Sequence, residues 1–313
     1  MYRYTNLLVS AVPRLTLAFL FAGPAAATAG DLKVSLAPGY TRGDYGSSII
    51  TDTYEVPLKV SYQEGPYRVS IRVPYLGVTG PQTAVPNLGV VGSPSNGGRR
   101  GRDVVRSGSR GPGPSSGSGS GSGSSGSGTD DGSTGFSGIA TSANSRSTIQ
   151  GLGDLGLAGS ARVLGGQKGD WFTLELGAGT KLPTGDKGRG LGTGQVGLST
   201  QMLATIDFPH DLTLDFTFGR FFRTAHSSDL QLEDYFYSTT SLSYDITPKV
   251  TAGLFLDVQE RAVTDGTAVV EAGLFMEYEI LHGTRVGANV FHGFTRDSSA
   301  FGAGLMVSHK FSL

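Results

Sequence analysis

The chain has 313 residues, of which 49 are glycine, 16% are charged and 38% are hydrophobic. Its formal net charge of -1 argues against a general nucleic-acid-binding protein, and the absence of cysteine excludes disulfides, thiol chemistry and cysteine-bound metals. This composition is typical of a turn-rich all-β protein or of a partly disordered one.

The N-terminus carries the features of an export signal. Arg3 and Arg14 precede an apolar run over residues 15–21, and the small-residue motif ATA follows at residues 27–29. A membrane anchor is the alternative, but the run is far shorter than the roughly 20 apolar residues of a spanning helix. We therefore expect residues 1–29 to be a signal peptide, and no later stretch is long enough for a transmembrane helix.

From Lys33 onward, apolar residues recur at every second position, which is the period of a strand with one apolar face. The opposite face is polar and rich in glycine. About twelve long strands are predicted from the following apolar series: Val34–Tyr40, Val56–Tyr62, Tyr67–Tyr75, Leu155–Val163, Phe172–Leu182, Val196–Ile206, Leu212–Phe218, Phe236–Ile246, Val250–Val258, Ala268–Ile280, Val286–Val290 and Phe301–Leu313.

The connections between these strands alternate in length. Short ones are QEGP, GGQKGD, FPHD, TPK and LHGT, and generally longer ones lie between them, although the last connection, around RDSS, is an exception. Short periplasmic turns and longer extracellular loops are typical of an outer-membrane barrel. The sequence therefore predicts an all-β fold, a transmembrane antiparallel up-and-down β-barrel.

Aromatic residues at the ends of the apolar face support this prediction. One set lies beside the short turns: Tyr62, Tyr67, Phe172, Tyr244, Tyr278 and Phe311. Another set lies beside the long loops: Tyr40, Tyr54, Tyr75, Phe222, Phe236, Phe294 and Phe301. Two girdles around a band of aliphatic residues are what a bilayer selects, because amphipathic rings settle at the headgroup level.

The chain ends inside a predicted strand, with apolar residues at alternate positions up to Leu313. This end resembles the C-terminal recognition strand of bacterial outer-membrane proteins, although Leu313 stands where Phe is commonest. The resemblance implies the barrel-assembly machinery as a partner during biogenesis.

The longest connection, from about Gly77 to Ile149, contains an arginine-rich run at 99–110 and the tract SSGSGSGSGSSGSG at 115–128. The tract could join two domains, but the few strands before it cannot close a barrel alone. We expect one barrel over residues 30–313 with a disordered Gly/Ser/Arg-rich extracellular loop at about 77–149. The arginines could contact lipopolysaccharide phosphates, although solvation of the loop explains them more simply.

Three segments resemble those of a known family: RVPYLGVTGP (72–81), GLGDLGLAGSARV (151–163) and GAGTKLPTGDKGRGLGTGQVGL (177–198). They are similar to recurring segments of an outer-membrane β-barrel transporter family of the phenol-degradation meta-pathway type. The resemblance implies a channel or facilitated-diffusion pore for small molecules, with hydrophobic or aromatic compounds as the candidate solutes. An outer-membrane hydrolase and a non-conducting structural or adhesive barrel are the alternatives.

Two glycine motifs and five histidines are the candidates for chemistry in this sequence. GLGDLG and GTGQVG fit G-x-G-x-x-G, but each precedes a predicted strand, whereas a dinucleotide site requires a helix there. Three histidines lie in predicted connections: His210, His226 and His282. His292 and His309 fall on lipid-facing positions, and a serine–histidine pair on that face, for which Ser308 and His309 are the residues to test, has no local signature. No catalytic residue, cofactor or metal site is predicted.

The predicted inward face carries charged residues that are candidates for lining a pore: Lys59, Arg68, Arg72, Arg162, Glu175, Lys181, Asp215, Asp257, Glu271, Glu277 and Lys310. They could set a field across a water-filled lumen, or they could fill a narrow barrel with ion pairs. Frequent inward glycines favour a narrow pore. We expect PTGDKGRGLGTG, or part of the longest loop, to fold into its mouth. The expected partners are outer-membrane lipid, lipopolysaccharide and a small-molecule solute, without nucleic acid.

Overall fold

The computed structural model describes residues 30–45, 50–80, 147–167, 170–224, 233–262 and 266–313. The predicted signal peptide at 1–29, the arginine-rich run at 99–110 and the Gly/Ser tract at 115–128 lie outside these residues. Within the described ranges, no helix is both long and apolar enough to cross a membrane.

The described chain is built from strands, with one short 3-10 turn at Lys187–Arg189. The strands are β1 (Asp31–Leu36), β2 (Gly39–Gly43), β3 (Thr51–Glu64), β4 (Tyr67–Gly80), β5 (Ser147–Leu152), β6 (Leu155–Leu164), β7 (Phe172–Leu182), β8 (Gly197–Phe208), β9 (Leu212–Arg223), β10 (Tyr235–Thr247), β11 (Val250–Gln259), β12 (Val269–Leu281), β13 (Thr284–Gly293) and β14 (Phe301–Ser312).

These segments form one closed antiparallel sheet. Consecutive strands pair with one another, except β1 with β2 and β5 with β6, and the sheet closes because β14 pairs with both β1 and β2. Segments β1 and β2 lie end to end between β14 and β3, and β5 and β6 lie end to end beside β4. The 14 segments therefore make a 12-strand barrel, which confirms the predicted fold.

Both breaks in the wall lie beside prolines, which have no N–H to donate to a ladder. Pro38 separates β1 from β2, and Pro57 and Pro74 are opposite each other in β3 and β4. The carbonyl oxygens of Pro57 and Pro74 still accept hydrogen bonds, from the N–H of Ala37 and from that of Gly153, respectively. The single strand predicted over Val34–Tyr40 is therefore interrupted at residues 37–38.

The boundaries of the longest loop also differ from those predicted. Strand β4 continues to Gly80 and β5 begins at Ser147, so pairing extends into the predicted loop at both ends. Val78 lies opposite Ile149, while glycine and threonine interrupt the apolar alternation there. Backbone hydrogen bonds continue the ladder where the side chains give no periodic signal.

The short connections are as tight as predicted. Strand pairs β3–β4 and β12–β13 are joined by two-residue turns, in which Gly65 and Gly283 adopt φ of 54° and 77°. Glycine is favoured there because a left-handed backbone costs it no steric penalty.

Alternate residues of each strand differ in exposure, which identifies the two faces of the wall. The outer face carries exposed apolar side chains such as Leu274 and Leu305, whereas the inner face carries buried polar ones such as Glu175, Thr217 and Ser308. Of the aromatic residues predicted to form two girdles, those on strands all have the outward parity, and Phe294 follows β13 directly and is 64% exposed. An apolar outer face around a polar interior is the arrangement of a membrane-spanning barrel.

Candidate solute pathway inside the barrel

All the charged residues predicted to face inward lie on strands at positions of inward parity. They are Lys59, Arg68, Arg72, Arg162, Glu175, Lys181, Asp215, Asp257, Glu271, Glu277 and Lys310. Several are deeply buried within the lumen, including Glu175, Lys181 and Asp215. The barrel brings them together on the inner wall, although they belong to eight different strands.

Near the periplasmic end, inward charges form ion pairs between strands, and Arg68 on β4 reaches across β6 to Glu175 on β7. The Arg68 guanidinium lies 3.8 Å from a carboxylate oxygen of Glu175 and donates a 2.7 Å hydrogen bond to Oε1 of Gln63. Four residues further along β4, Arg72 pairs with Glu55 of the neighbouring strand β3. These contacts support the view that ion pairs occupy part of a narrow lumen.

The inward charges are segregated by sign around the barrel. The half made of β13, β14 and β1 to β6 carries most of the basic residues: Arg285, Lys310, Lys33, Lys59, Arg68, Arg72 and Arg162. The half made of β7 to β12 carries most of the acidic residues: Glu175, Asp207, Asp215, Asp245, Asp257, Glu271, Glu277 and Glu279. Opposed charged walls produce an electric field across the lumen.

A cluster of buried phenylalanines on the inner wall was not predicted from the sequence. Phe255, Phe275 and Phe291 are 7%, 4% and 5% exposed. Each lies directly opposite a glycine of a neighbouring strand, and its ring occupies the space that the glycine leaves: Phe255 on Gly273, Phe275 on Gly253, and Phe291 on Gly302. The inward glycines therefore leave room for aromatic rings of the neighbouring strands.

The same arrangement recurs between β8, β9 and β10. The ring of Phe221 covers Gly197, and that of Tyr237 covers Gly219, while the Tyr237 hydroxyl donates to Oε1 of Gln201 at 2.9 Å. The inward parity of these aromatics, alternating with glycines on the next strand, is the sequence signal that could have identified them.

The loop between β7 and β8 folds onto the inner wall at the extracellular end, as expected for PTGDKGRGLGTG. Buried Asp154, at the break between β5 and β6, holds this loop. Its Oδ2 accepts from Nζ of Lys181 at 2.6 Å and from the N–H of Thr193 at 3.1 Å, and its Oδ1 accepts from the N–H of Gly185 at 3.0 Å. Lys181 also donates to the Thr193 hydroxyl.

Apolar and backbone contacts complete this attachment. Leu191, only 2% exposed, lies over Gly151, and the hydroxyl of Thr184 donates to the carbonyl of Gly153. Both glycines precede Asp154 in the GLGDLG segment. Two of the segments that carry the family resemblance therefore form one structural unit at the mouth of the barrel.

A second loop also folds inward, between β13 and β14. The N–H of Ser299 donates to Oε1 of Glu271 at 2.9 Å, and the hydroxyl of Tyr45 approaches that of Ser299 at 3.4 Å. Tyr45 is 1% exposed, and this burial raises the pKa of its hydroxyl. The two inward loops narrow the extracellular mouth from different sides.

The histidines do not assemble a hydrolytic site among the described residues. Ser308 and His309 point to opposite faces of β14, because adjacent strand residues alternate. The Nδ1 atom of His309 lies 2.7 Å from the Thr284 hydroxyl, and its ring packs edge-on against Phe311. His292 packs against Phe294, and His226 lies outside the described residues. The described ranges also hold no cluster of metal-ligating side chains.

Comparisons with known proteins agree with this architecture. A family model described as "Putative MetA-pathway of phenol degradation" matches residues 116–311. The COG4313 outer membrane channel from Pseudomonas putida F1 has the same fold, with a TM-score of 0.60, 12% identity, and coverage of 91% of this chain and 97% of that chain.

Other solved barrels are similar to a lower degree. The NanC porin gives a TM-score of 0.49 at 9% identity, covering 90% of this chain and 100% of its own. The CymD monoaromatic hydrocarbon channel gives 0.41 at 7% identity, covering 91% and 88%. No curated protein sequence matches the chain.

Proposed function

Because the chain is an outer-membrane β-barrel that belongs to the family described as "Putative MetA-pathway of phenol degradation", we propose that it is a passive channel for small molecules. The observation that supports this most directly is the closed wall, apolar outside and lined inside by opposed charges. Hydrophobic or aromatic compounds are the solute class that the family implies.

In this proposal, solutes diffuse through a narrow lumen between a basic and an acidic half-wall. The inward charges set a field that orients water and polar groups, while the buried rings seated on glycines fill space along the wall on β11 to β13. The inward loop between β7 and β8 limits the width of the mouth. Together these features would select small, flat molecules.

Conductance of the purified full-length protein in a planar bilayer tests this function. We expect discrete current steps, and Lys59→Gln should shift the reversal potential in a salt gradient towards cation selectivity, because it removes a positive charge from the lumen. Arg42→Gln is the matched control: it removes the same charge from the outer face, where its side chain is 50% exposed. A wild-type protein without current steps would contradict the channel function.

Further parts of the proposal concern export, biogenesis and partners at the cell surface. We propose that residues 1–29 direct export, and that the long loop with its arginines faces the cell exterior beside lipopolysaccharide. The barrel-assembly machinery would recognise the C-terminal strand during biogenesis. The chain's similarity to channels and porins supports transport over hydrolysis.

A further inference from the structure

On the basic half of the inner wall, like charges lie directly opposite each other on neighbouring strands. Lys59 of β3 is opposite Arg72 of β4, and Lys33 of β1 is opposite Lys310 of β14. Directly opposite side chains on one face of an antiparallel pair have Cβ atoms only about 5 Å apart, so like charges at these positions repel. Both pairs are therefore unfavourable for the stability of the ladder.

The acidic half shows the same arrangement with the opposite sign. Asp257 of β11 is directly opposite Glu271 of β12, and both side chains have inward parity. Repulsion between these carboxylates is unfavourable for the fold in the same way. Opposite charges in register would have stabilised all three strand pairs. The segregation of charge therefore indicates a role in the lumen rather than in holding the wall together.

Each half also contains a few inward residues of the other sign. On the strands that the structure describes and at the break between β5 and β6, these are Asp31, Glu55 and Asp154 on the basic half, and Lys181 and Arg223 on the acidic half. They are outnumbered on both halves by residues of the prevailing sign. The ion pairs within each half therefore leave one wall positive and the other negative, with the lumen between them.

The strand order places the like-charged pairs on opposite sides of the lumen. In a closed 12-strand barrel, strands that are six positions apart face each other across the axis. With β5 and β6 counted as one strand, β4 with Arg72 lies six positions from β11 with Asp257. Lys310 of β14 and Asp207 of β8 are related in the same way. Opposite charges therefore face each other across the barrel, whereas like charges are neighbours along the wall.

Charged side chains on both walls are accessible inside the barrel. Lys59 and Asp257 are only half-buried, although both have inward parity and lie within their strands rather than at the ends. Because the outer surface of the wall carries residues of the other parity, the exposed part of these two side chains faces the lumen. A solute in the lumen can therefore contact them without any rearrangement of the wall.

We propose that the channel favours small zwitterionic solutes, which carry a cationic and an anionic group on one molecule. The inference rests on the proposed channel function and names a solute class for it. Such a solute lies across the lumen, with its cationic group towards the acidic wall and its anionic group towards the basic wall. A simple ion is attracted by one wall and repelled by the other, whereas an aligned zwitterion interacts favourably with both.

Osmotic swelling of liposomes that contain the full-length protein tests this inference. The probes are alanine, which is a zwitterion, and lactamide, which is its uncharged isomer, so the two solutes have the same composition and similar size. Rates measured with protein-free liposomes are subtracted. We expect alanine to enter roughly threefold faster than lactamide or more, because a charged lumen concentrates a solute that matches its field.

The double variant Lys59→Gln/Asp257→Asn removes one charge from each wall and leaves the net charge of the lumen unchanged. It should lower the ratio of alanine entry to lactamide entry by about twofold or more, because the field across the lumen weakens. Arg42→Gln/Asp52→Asn is the matched control. These two residues are opposite in register on the outer face, 3.8 Å apart, and the ratio should stay at its wild-type value.

The outcomes separate this inference from the proposed function. Equal entry of alanine and lactamide through the wild-type protein would overturn the inference and leave the channel function standing. Entry of neither solute would refute the channel function itself. An unchanged ratio in Lys59→Gln/Asp257→Asn would overturn the role of the opposed walls. If that variant does not assemble, Lys310→Gln/Asp207→Asn carries the test, since it also removes one charge from each wall, and an unchanged ratio there would count equally against the inference.

Discussion

At the scale of residues, the inner wall is built from pairs in which a glycine on one strand receives an aromatic ring from the next. The three atoms nearest to a Cβ at Gly302 all belong to the Phe291 ring, whereas the atom nearest to a Cβ at Gly273 is the backbone carbonyl oxygen of Val290, followed by the Phe255 ring. A ring can rotate away from a new methyl group, but the backbone of a paired strand cannot. The two glycines should therefore differ in their tolerance of alanine.

We predict that Gly302→Ala lowers the unfolding free energy by about 1–3 kcal/mol and that Gly273→Ala lowers it further, because overpacking is more costly when the neighbour is rigid. Urea unfolding in detergent, followed by the shift between folded and unfolded bands on gels, measures both. The double variant Gly302→Ala/Phe291→Ala should recover part of the loss relative to the sum of the single variants. Additive effects would contradict the ring–glycine contact as the cause.

The sequence could predict the face of the wall on which a residue lies, but not the residue that it contacts there. Strand parity assigned Glu175 and Lys59 to the inner face, because a period of two fixes the face once the strand is recognised. Parity could not reveal that Arg68 would meet Glu175, since that contact depends on which strands become neighbours through β4, β6 and β7.

At the scale of elements, the loop between β7 and β8 depends on one carboxylate. Asp154 and Lys181 have side chains that are 5% and 6% exposed, and Asp154 also accepts from backbone N–H groups of the loop. The sequence offered this loop and the longest loop as the two candidates for folding into the mouth, but it could not identify Asp154 as an anchor, because the contact joins residues 31 positions apart. From the sequence alone, the aspartate of GLGDLG looks like a residue at the start of a strand. Only the folded position of the loop shows that it holds the loop in place.

We predict that Asp154→Ala releases the loop while the barrel stays assembled. Removing one partner of a buried ion pair costs about 3–5 kcal/mol, and this cost falls on the loop rather than on the ladder. Trypsin should then cut the purified protein after Lys187 and Arg189, and mass spectrometry of the fragments identifies both sites. Asp186→Asn, which changes an exposed residue of the same loop, should remain protected. Equal protection of Asp154→Ala would show that other contacts hold the loop.

At the scale of the whole molecule, closure of the barrel does not depend on the length of the longest loop. Strand β4 pairs with β6 over Tyr67–Arg72 and with β5 over Tyr75–Gly80, so its two neighbouring segments are complete up to the rung formed by Gly80 and Ser147. The alternation of short and long connections predicted this topology because each hairpin joins strands that are consecutive in the sequence. The breaks beside the prolines could not be predicted in this way, because they are visible only once the pairing register of the strands is known.

We predict that deletion of residues 111–128 leaves assembly intact. The deletion removes part of a connection whose ends are already adjacent, and the change in loop-closure entropy is only about 0.3 kcal/mol. Heat-modifiable migration on gels and the urea midpoint should match those of the full-length protein. Deletion of residues 147–152 is the matched control: it removes strand β5 and its pairing with β4, and it should prevent assembly. Loss of heat-modifiable migration on deleting 111–128 would instead make the Gly/Ser tract a structural part of the protein, and the single-barrel organisation proposed for residues 30–313 would be wrong.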